Sequence, residues 1–273
     1  MKSIRMMQQE VSRAQEEYWR KGYTVIKGVF SSAEVQVCRA ESERLWVIPG
    51  LLDDLNLRSE FRRDIAGTYV VDRLDPVIDI SPPLLDTVLD GSLLAILEEI
   101  LHGSLSLLKC KLIRKDPGTA GYAHHQDFLY WRWLGMSPDV LCSVGIPLYP
   151  NNAESGGIEL FPGYHKALLP SADGNLDADF NIAHISQSVG EIPELEPGDI
   201  LLFHSLAPHR SGPNRSSYSR TLLLPSYAVG APADLYAQYY KREVMRRCSE
   251  FVGFERYESA LATISQRHMR RAE

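Results

Sequence analysis

The chain has 273 residues, of which 44% are hydrophobic and 23% charged, a composition typical of an ordered soluble protein. Its formal net charge of -6 weighs against nucleic acid as the main partner. No stretch approaches the roughly 18 apolar residues of a membrane span, and residues 1–17 lack the apolar centre of a secretory signal. The four scattered cysteines include no CxxC pair, which predicts reduced thiols and a cytoplasmic location.

The first third of the chain is predicted to be mainly helical. Helices are predicted at 7–21, from Ser31 onward and at 92–102, with a short apolar strand at 23–30. Ser31 and Glu34 have the spacing of a capping box, which marks the start of the second helix. Residues 47–80 show no clear hydrophobic period, so we expect a loop with short elements that forms part of a lid.

From about residue 104 the sequence changes to short β-rich runs separated by turn residues. Strands are predicted at 105–114, 124–133, 140–149, 158–161, 200–204 and 220–227, and a last helix at 233–248. Many short strands with tight turns predict a mainly β sandwich or barrel with flanking helices. We expect one domain over 1–273, with a helical part to about 103, a β core over about 104–230 and a C-terminal helical part over about 231–273.

The tripeptide His125-Gln126-Asp127 is the first feature that indicates chemistry. If it lies in a strand, residues 125 and 127 share a face, so an imidazole and a carboxylate converge on one point. These are two of the three ligands of the facial triad that binds iron(II) and leaves three coordination positions open. By itself such a tripeptide is weak support for a metal site, because most examples are incidental.

A second feature follows the predicted strand at 200–204, where His204 and His209 are both available as a third ligand. Arg220 stands eleven residues after His209, at the head of the next predicted strand. An arginine fork at that place suits the far carboxylate of a keto acid that chelates the metal at its other end. Together these residues fit one site for iron(II) and 2-oxoglutarate.

In their order along the chain, these segments resemble the phytanoyl-CoA dioxygenase family of iron(II)- and 2-oxoglutarate-dependent oxygenases. The matching segments are GYTVIKGVFSSAEV, KLIRKDPG, HHQD, PDVLCSVGIPL, ESGGIELFPGYHK, LEPGDILLFHSLAPHRSGPNRS and SRT. The ordered set is far more specific than any of its parts. The resemblance implies a double-stranded β-helix, which is a cupin-like jelly roll, with Fe(II) as cofactor and 2-oxoglutarate and O2 as co-substrates.

The resemblance also implies roles for seven side chains. They are the metal ligands His125, Asp127 and His209, and the co-substrate residues Arg220, Ser211, Lys111 and Gln126. The family pattern places the ligand before the Ser-Gly-Pro-Asn turn, which selects His209 and leaves His204 a supporting or packing role. His124 has the wrong strand parity and is expected to be structural, and His165 is expected to be a hydrogen-bonded turn residue.

Other residues bear on the substrate and the outcome. Strand parity places Trp131 on the ligand side as a substrate-contacting residue, and ordinary core packing is the equal alternative. Asp127 disfavours halogenation, because related halogenases have a small residue there. Gly145 stands where some family members have a tryptophan, which predicts a roomier pocket. Arg132 and Lys115 are expected to be solvated or paired with acids.

We therefore predict an oxygenase that hydroxylates a C–H bond of a small molecule from specialised metabolism and releases succinate and CO2. The alternatives are a non-catalytic jelly-roll binding protein, an oxygenase that acts on an acyl-CoA, and desaturation, cyclisation or epimerisation by the same class. A cupin-type dioxygenase without 2-oxoglutarate is disfavoured by the carboxylate ligand and Arg220. No nucleic acid or membrane partner is expected, and the sequence does not fix the oligomeric state.

Overall fold

The computed structural model describes residues 4–52, 56–170, 185 and 190–251. Within these ranges the strands are β1 (Tyr23–Ile26), β2 (Ser59–Arg63), β3 (Tyr69–Leu74), β4 (Leu105–Lys115), β5 (Tyr122–His125), β6 (Leu141–Pro147), β7 (Ile158–Leu160), β8 (Ile200–His204), β9 (His209–Ser211) and β10 (Arg220–Val229). The helices are α1 (Ile4–Lys21), α2 (Ser32–Trp46), α3 (Pro82–Val88), α4 (Gly91–Leu101), α5 (Phe128–Trp131) and α6 (Leu235–Phe251). The C-terminal part predicted beyond 251 lies outside the described residues.

The strands form two antiparallel sheets with a hydrophobic interior between them. The larger sheet has the order β1-β8-β6-β10-β4-β3-β2, and the smaller has the order β5-β9-β7. Leu201 and Phe203 of β8 and Leu222 and Leu224 of β10 belong to the cluster between the sheets. Their neighbours in the strands pack against the helices in a second cluster. Because both faces are covered, β6 and β8 are buried along their whole length.

The helices cover the outer face of the larger sheet. Tyr18 of α1, Leu97 of α4 and Tyr240 of α6 are buried in one cluster with the strands. The predicted capping box is confirmed at the start of α2, where the Ser31 amide donates to the Glu34 carboxylate at 2.7 Å. None of the described helices is long and apolar enough to cross a membrane.

Strand β4 carries lysines on the face that points toward the interior and its cavities. Its register with β10 places Lys115 opposite Arg220 and Lys111 opposite Leu224. The side chains that alternate with Lys109 and Lys111 join the cluster that faces the helices, and they are Leu108, Cys110 and Leu112. The two-residue period of a strand thus separates the charges of β4 from its apolar residues.

The prediction of a strand at 124–133 is wrong beyond its first residues. β5 ends at His125, and the Asp127 backbone is already helical at φ -56° and ψ -33°. The amide of Phe128 donates to the carbonyl of Ser205 at 2.9 Å, and α5 follows directly. The aromatic run has strand-like propensity, but this tertiary contact turns the chain out of the sheet.

The other predicted strands of the core are present with ends shifted by a few residues, and 200–204 is unchanged as β8. Residues 47–80 contain more order than the loop that the sequence predicts. β2 and β3 pair with each other, and β3 extends the larger sheet through Leu74 opposite Leu112 of β4. The helix at 82–88 has no counterpart in the prediction.

Candidate functional site

Three of the predicted residues converge between the two sheets. β5 pairs with β9 so that His125 lies opposite His209, and the centroids of their rings are 4.1 Å apart. The turn after β5 brings Asp127 to the same place, with its Oδ1 3.8 Å from Nε2 of His125. One ligand atom from each of the three residues lies within 4.8 Å of the others.

Hydrogen bonds orient all three side chains. Nδ1 of His125 lies 2.9 Å from the carbonyl of Ala123, and Nδ1 of His209 lies 3.0 Å from that of Ala207. A ring nitrogen that faces a carbonyl carries the proton, so Nε2 of each ring presents a lone pair to the cluster. Oδ2 of Asp127 accepts a hydrogen bond of 2.7 Å from Ser143 Oγ.

The electrostatics of the cluster produce the protonation states that a divalent cation requires. Burial, and then the neighbouring His209, lower the pKa of His125 to about 3, and burial also lowers the pKa of His209. Burial alone would raise the pKa of Asp127, but His209 and Lys111 outweigh it and lower that pKa to about 2. Two neutral imidazoles and one carboxylate are a donor set that fits iron(II).

Arg220 lies at the start of β10, and its side chain is buried. Its Nη2 donates to the carbonyl of Gly156 at 2.5 Å, while its Nε is buried without a hydrogen-bond partner. Within the described ranges no carboxylate forms an ion pair with it, and burial lowers its pKa to about 10. A buried guanidinium with an unused donor fits a carboxylate ligand such as 2-oxoglutarate.

A narrow cavity connects this arginine to His125 and His209. Its polar lining consists of Lys111, Tyr122, His125, His209, Arg210, Ser211 and Arg220. The structure thus brings together Ser211, Lys111 and Arg220, as the resemblance implied. Gln126 is the exception among the predicted co-substrate residues, because it lines neither this cavity nor the larger one described below.

The side-chain amide of Gln126 forms hydrogen bonds with the backbone outside this site. The expectation that Gln126 lies near the co-substrate is therefore corrected. Its Nε2 donates to the carbonyls of Ala167 and Leu206, and its Oε1 accepts from the amide of Leu169 at 2.7 Å. Its neighbours His125 and Asp127 point into the site, so the turn after β5 directs Gln126 to the opposite side. Gln126 therefore tethers two loops.

Lys115 is a residue whose place the sequence reasoning predicted wrongly. It is fully buried and pairs with no acid among the described residues. Its Nζ donates to Ser211 Oγ at 2.7 Å and to the carbonyls of Gly156 and Gly212. Burial, and then Arg220, lower its pKa to about 6. The alternation of side chains along a strand could have identified Lys115, because residues 111 and 115 lie on the same face of β4.

The three histidines predicted to be structural, His124, His165 and His204, lie outside the cluster, as expected. His204 has its Nδ1 bonded to the amide of Leu206 and its Nε2 3.3 Å from Asp139. The ring of His124 packs against Phe161 with centroids 5.2 Å apart. Nε2 of His165 lies 3.3 Å from the carbonyl of Trp19.

A larger cavity, of about 800 Å³, is lined by His125 and Asp127. Trp131 lines it but is only 2% exposed and also belongs to the core, so core packing is observed and contact with a substrate stays a prediction. Tyr130 is 47% exposed, and its ring centroid lies 6.0 Å from that of His125. Tyr130 was missed because the strand prediction placed it on the wrong face.

Gly145 of β6 lies against the interior between the sheets. A Cβ built on it would stand 3.6 Å from the side chains of Leu201 and Leu222, at ordinary contact distance. Leu222 also lines the narrow cavity. A larger side chain at position 145 would therefore lie toward the narrow cavity.

Comparisons with known proteins agree with this geometry. The profile described as phytanoyl-CoA dioxygenase (PhyH) matches residues 18–222. A methylphosphonate hydroxylase of Gimesia maris is 26% identical over 235 residues, which are 86% of this chain and 87% of that protein. A 2-aminoethylphosphonate dioxygenase of an uncultured bacterium is 24% identical over 234 residues, 84% of this chain and 86% of that protein.

Among solved structures, the epimerase SnoN in complex with Fe3+, alpha-ketoglutarate and nogalamycin RO has a TM-score of 0.66 at 21% identity, over 80% of this chain and 83% of that chain. This likeness confirms the predicted jelly-roll fold. The profile match spans most of the chain, including all three convergent residues and Arg220. The chain therefore belongs to the phytanoyl-CoA dioxygenase family and, as its motifs predict, is an iron(II)- and 2-oxoglutarate-dependent dioxygenase.

Proposed function

We propose that this enzyme hydroxylates a C–H bond of a small molecule, with iron(II) held by His125, Asp127 and His209. Arg220 and Ser211 bind the far carboxylate of 2-oxoglutarate in this proposal. The observation that carries it is the approach of two neutral imidazoles and one ionised carboxylate to within 4.8 Å of one another. The unused, buried Nε of Arg220 on the same cavity supports the second assignment.

When bound, iron(II) and 2-oxoglutarate supply the activation of O2 that oxidises the substrate, with release of succinate and CO2. The protein itself positions the ligands of the iron and excludes water from the site. Ser143 holds the carboxylate of Asp127, and two backbone carbonyls hold the rings of His125 and His209. Asp127 would supply a carboxylate ligand to the iron, which disfavours halogenation.

The two lysines of β4 near this site have different roles in the proposal. Lys111 lines both cavities, so its ammonium faces the shared boundary of co-substrate and substrate. Lys115 lines neither cavity but donates to the hydroxyl of Ser211 at 2.7 Å. Lys115 is therefore a positioning residue, which orients Ser211 toward the 2-oxoglutarate carboxylate.

The substrate occupies the larger cavity beside His125 in this proposal. Contact of the substrate with Trp131, an origin in specialised metabolism and a cytoplasmic location stay predictions from the sequence. Two relatives are named for phosphonates, whereas SnoN is named from nogalamycin biosynthesis. These names point to different substrates, so the lining of the cavity itself has to indicate the substrate class.

The test is an anaerobic titration of the metal-free protein with iron(II) and 2-oxoglutarate, followed by the visible charge-transfer band of the chelate. We expect the band in the wild type, and its loss or strong weakening in Asp127→Ala and Arg220→Ala. His124→Gln is the matched control, because this histidine adjoins His125 but packs on Phe161 outside the cluster. The control should bind both ligands as the wild type does.

A wild type that gives no band, or unchanged titrations of Asp127→Ala and Arg220→Ala, would show that the assignment is wrong. Succinate release in a panel of small molecules then identifies the substrate. A product that gains one oxygen atom supports hydroxylation. A product without new oxygen indicates desaturation, cyclisation or epimerisation instead.

A further inference from the structure

The lining of the larger cavity has a charge opposite to that of the whole chain. Eight lysine and arginine side chains line it, against four aspartate and glutamate side chains, so positive charges exceed negative ones by four. The chain as a whole has a formal net charge of -6. Positive charge concentrated in a cleft of an acidic protein attracts anions.

Cations of the cavity wall, together with the neighbouring Asp72, form a network that holds more cations than carboxylates. Three carboxylates, those of Glu60, Asp72 and Asp75, form ion pairs with four cations, which are Arg62, Arg73, Lys109 and Arg247. One positive charge of this network is therefore not compensated. The Nε atoms of Arg73 and Arg247 are also buried without a hydrogen-bond partner among the described residues.

Two further cations of the cavity have no acidic partner among the described residues. Lys111 stands beside the metal ligands without a hydrogen bond or ion pair, and burial, followed by Lys109 and Arg73, lowers its pKa to about 8. Arg242 of α6 stacks on the ring of Trp133, with its guanidinium carbon 4.0 Å from the ring centroid. Stacking leaves the N–H edge of Arg242 available to a ligand.

Loading the metal centre does not remove this surplus. The two positive charges of iron(II) are offset by the two carboxylates of 2-oxoglutarate. The excess of positive charge in the larger cavity is therefore unchanged. We propose that the substrate is a small organic anion and that Arg242, supported by Trp133, binds its charged group in the larger cavity. This inference rests on the proposed function, because it takes the larger cavity beside the metal ligands as the substrate site.

Calorimetry tests the inference with three probes of similar size, which are methylphosphonate, acetate and the neutral methanesulfonamide. The full chain is titrated without oxygen in the presence of iron(II) and 2-oxoglutarate, at low and high salt. We expect at least one anion to bind, to bind more tightly than methanesulfonamide and to weaken as salt rises. The comparison of methylphosphonate with acetate shows which kind of anionic group the site prefers.

Variants on α6 locate the site. Arg242→Gln is expected to weaken anion binding about tenfold, in line with the loss of one charge-assisted hydrogen bond of roughly 1.5 kcal/mol. Lys241→Gln is the matched control, because it removes the same charge from the next residue of α6, which is exposed and does not line the cavity. Arg242→Lys keeps the charge and should retain part of the affinity.

The inference is overturned if neither anion binds, if methanesulfonamide binds as tightly as the anions, or if Arg242→Gln behaves like Lys241→Gln. Calorimetry reports these results whether or not the charge-transfer band forms. A band that forms normally while the anions fail to bind refutes only the anionic substrate. Absence of the band in the wild type refutes the assignment of the metal and 2-oxoglutarate site instead.

Discussion

The two ends of the proposed active site are built in different ways. At the inner end, Lys115, Ser211 and Arg220 lie on three strands of the jelly roll and bind one another or backbone carbonyls. The outer wall comes from β2, β3, β4 and α6, and its charges are held by ion pairs between side chains. The end proposed to bind the co-substrate is thus fixed by sheet register, whereas the end proposed to bind the substrate is fixed mainly by side-chain pairing.

The largest effect on stability is expected for a variant that removes the charge of Asp75 from the ion pairs of the outer wall. This residue is buried, with its Oδ2 3.4 Å from Lys109 Nζ and 3.6 Å from Arg247 Nη2. Asp75→Asn leaves Lys109 without its acidic partner and Arg247 with Glu60 alone, which should lower the free energy of unfolding by about 3–5 kcal/mol. Urea unfolding measures the change. Asp116→Asn, which breaks the half-exposed pair with Arg114, is the control and should cost at most about 1 kcal/mol.

Acid should reduce the difference between Asp75→Asn and the wild type. Although burial raises the pKa of Asp75, Lys109 and Arg247 outweigh it, so the folded-state pKa lies below the usual value. The stabilisation by this carboxylate is therefore complete above the unfolded-state pKa of about 3.9 and is lost as the pH falls below it. Unfolding curves from pH 7 to pH 3 check this, and a constant difference would contradict it.

At the inner end, Arg220→Met should weaken the binding of 2-oxoglutarate without lowering the stability of the folded protein. We expect the affinity for 2-oxoglutarate to fall by about 2–5 kcal/mol, because the charge that meets its carboxylate is lost. The unfolding free energy of the ligand-free protein should not fall, since the variant removes a buried charge that has no acidic partner. Calorimetry and urea unfolding measure the two quantities. Intact affinity, or a large loss of stability, would contradict the assigned role.

A smaller effect is expected for Lys115→Met, which removes the donor that orients Ser211. The affinity for 2-oxoglutarate should fall about tenfold, as for the loss of one hydrogen bond of roughly 1–1.5 kcal/mol. Since Lys115 acts through Ser211, the double variant Lys115→Met/Ser211→Ala should bind no more weakly than Ser211→Ala alone. Additive losses would show that Lys115 acts on the co-substrate by another route.

The smallest effect is expected at Ser226, which is connected to the proposed metal ligand Asp127 only through Ser143. Its Oγ lies 3.0 Å from Ser143 Oγ, and Ser143 in turn donates to Asp127. Ser226→Ala should change the affinity for iron(II) by about 0.5 kcal/mol, as measured by competition with a chelator. Ser143→Ala, which contacts Asp127 directly, should have a larger effect, and the reverse order would contradict the relay.

The inner end could be predicted from the sequence because its residues stand in strands with strong local signals. The apolar run of β8 marks the strand before His209, and Arg220 heads another strand. The convergence of His125 and Asp127 was predicted for a partly wrong reason, since residue 127 follows the strand and does not continue it. The ligand pair is brought together by a turn, which strand parity does not describe.

The outer wall could not be predicted in the same way. Arg247 contacts Glu60 and Asp75, which precede it by more than 170 residues, and no periodic pattern connects them. Propensity and periodicity report neighbours within one element, whereas these ion pairs depend on how α6 packs on β2 and β3. The excess of positive charge in the cavity is therefore apparent only from the folded structure.

The alternation of residues along β4 has a consequence for assembly of the fold. Its lysines at 109, 111 and 115 point to the site, and Leu108, Cys110 and Leu112 point to the helices. A pairing with β10 that slipped by one residue would drive ammonium groups into a leucine-lined core and expose leucines to the metal ligands. The lysines of β4 thus also disfavour slipped registers of the central sheet.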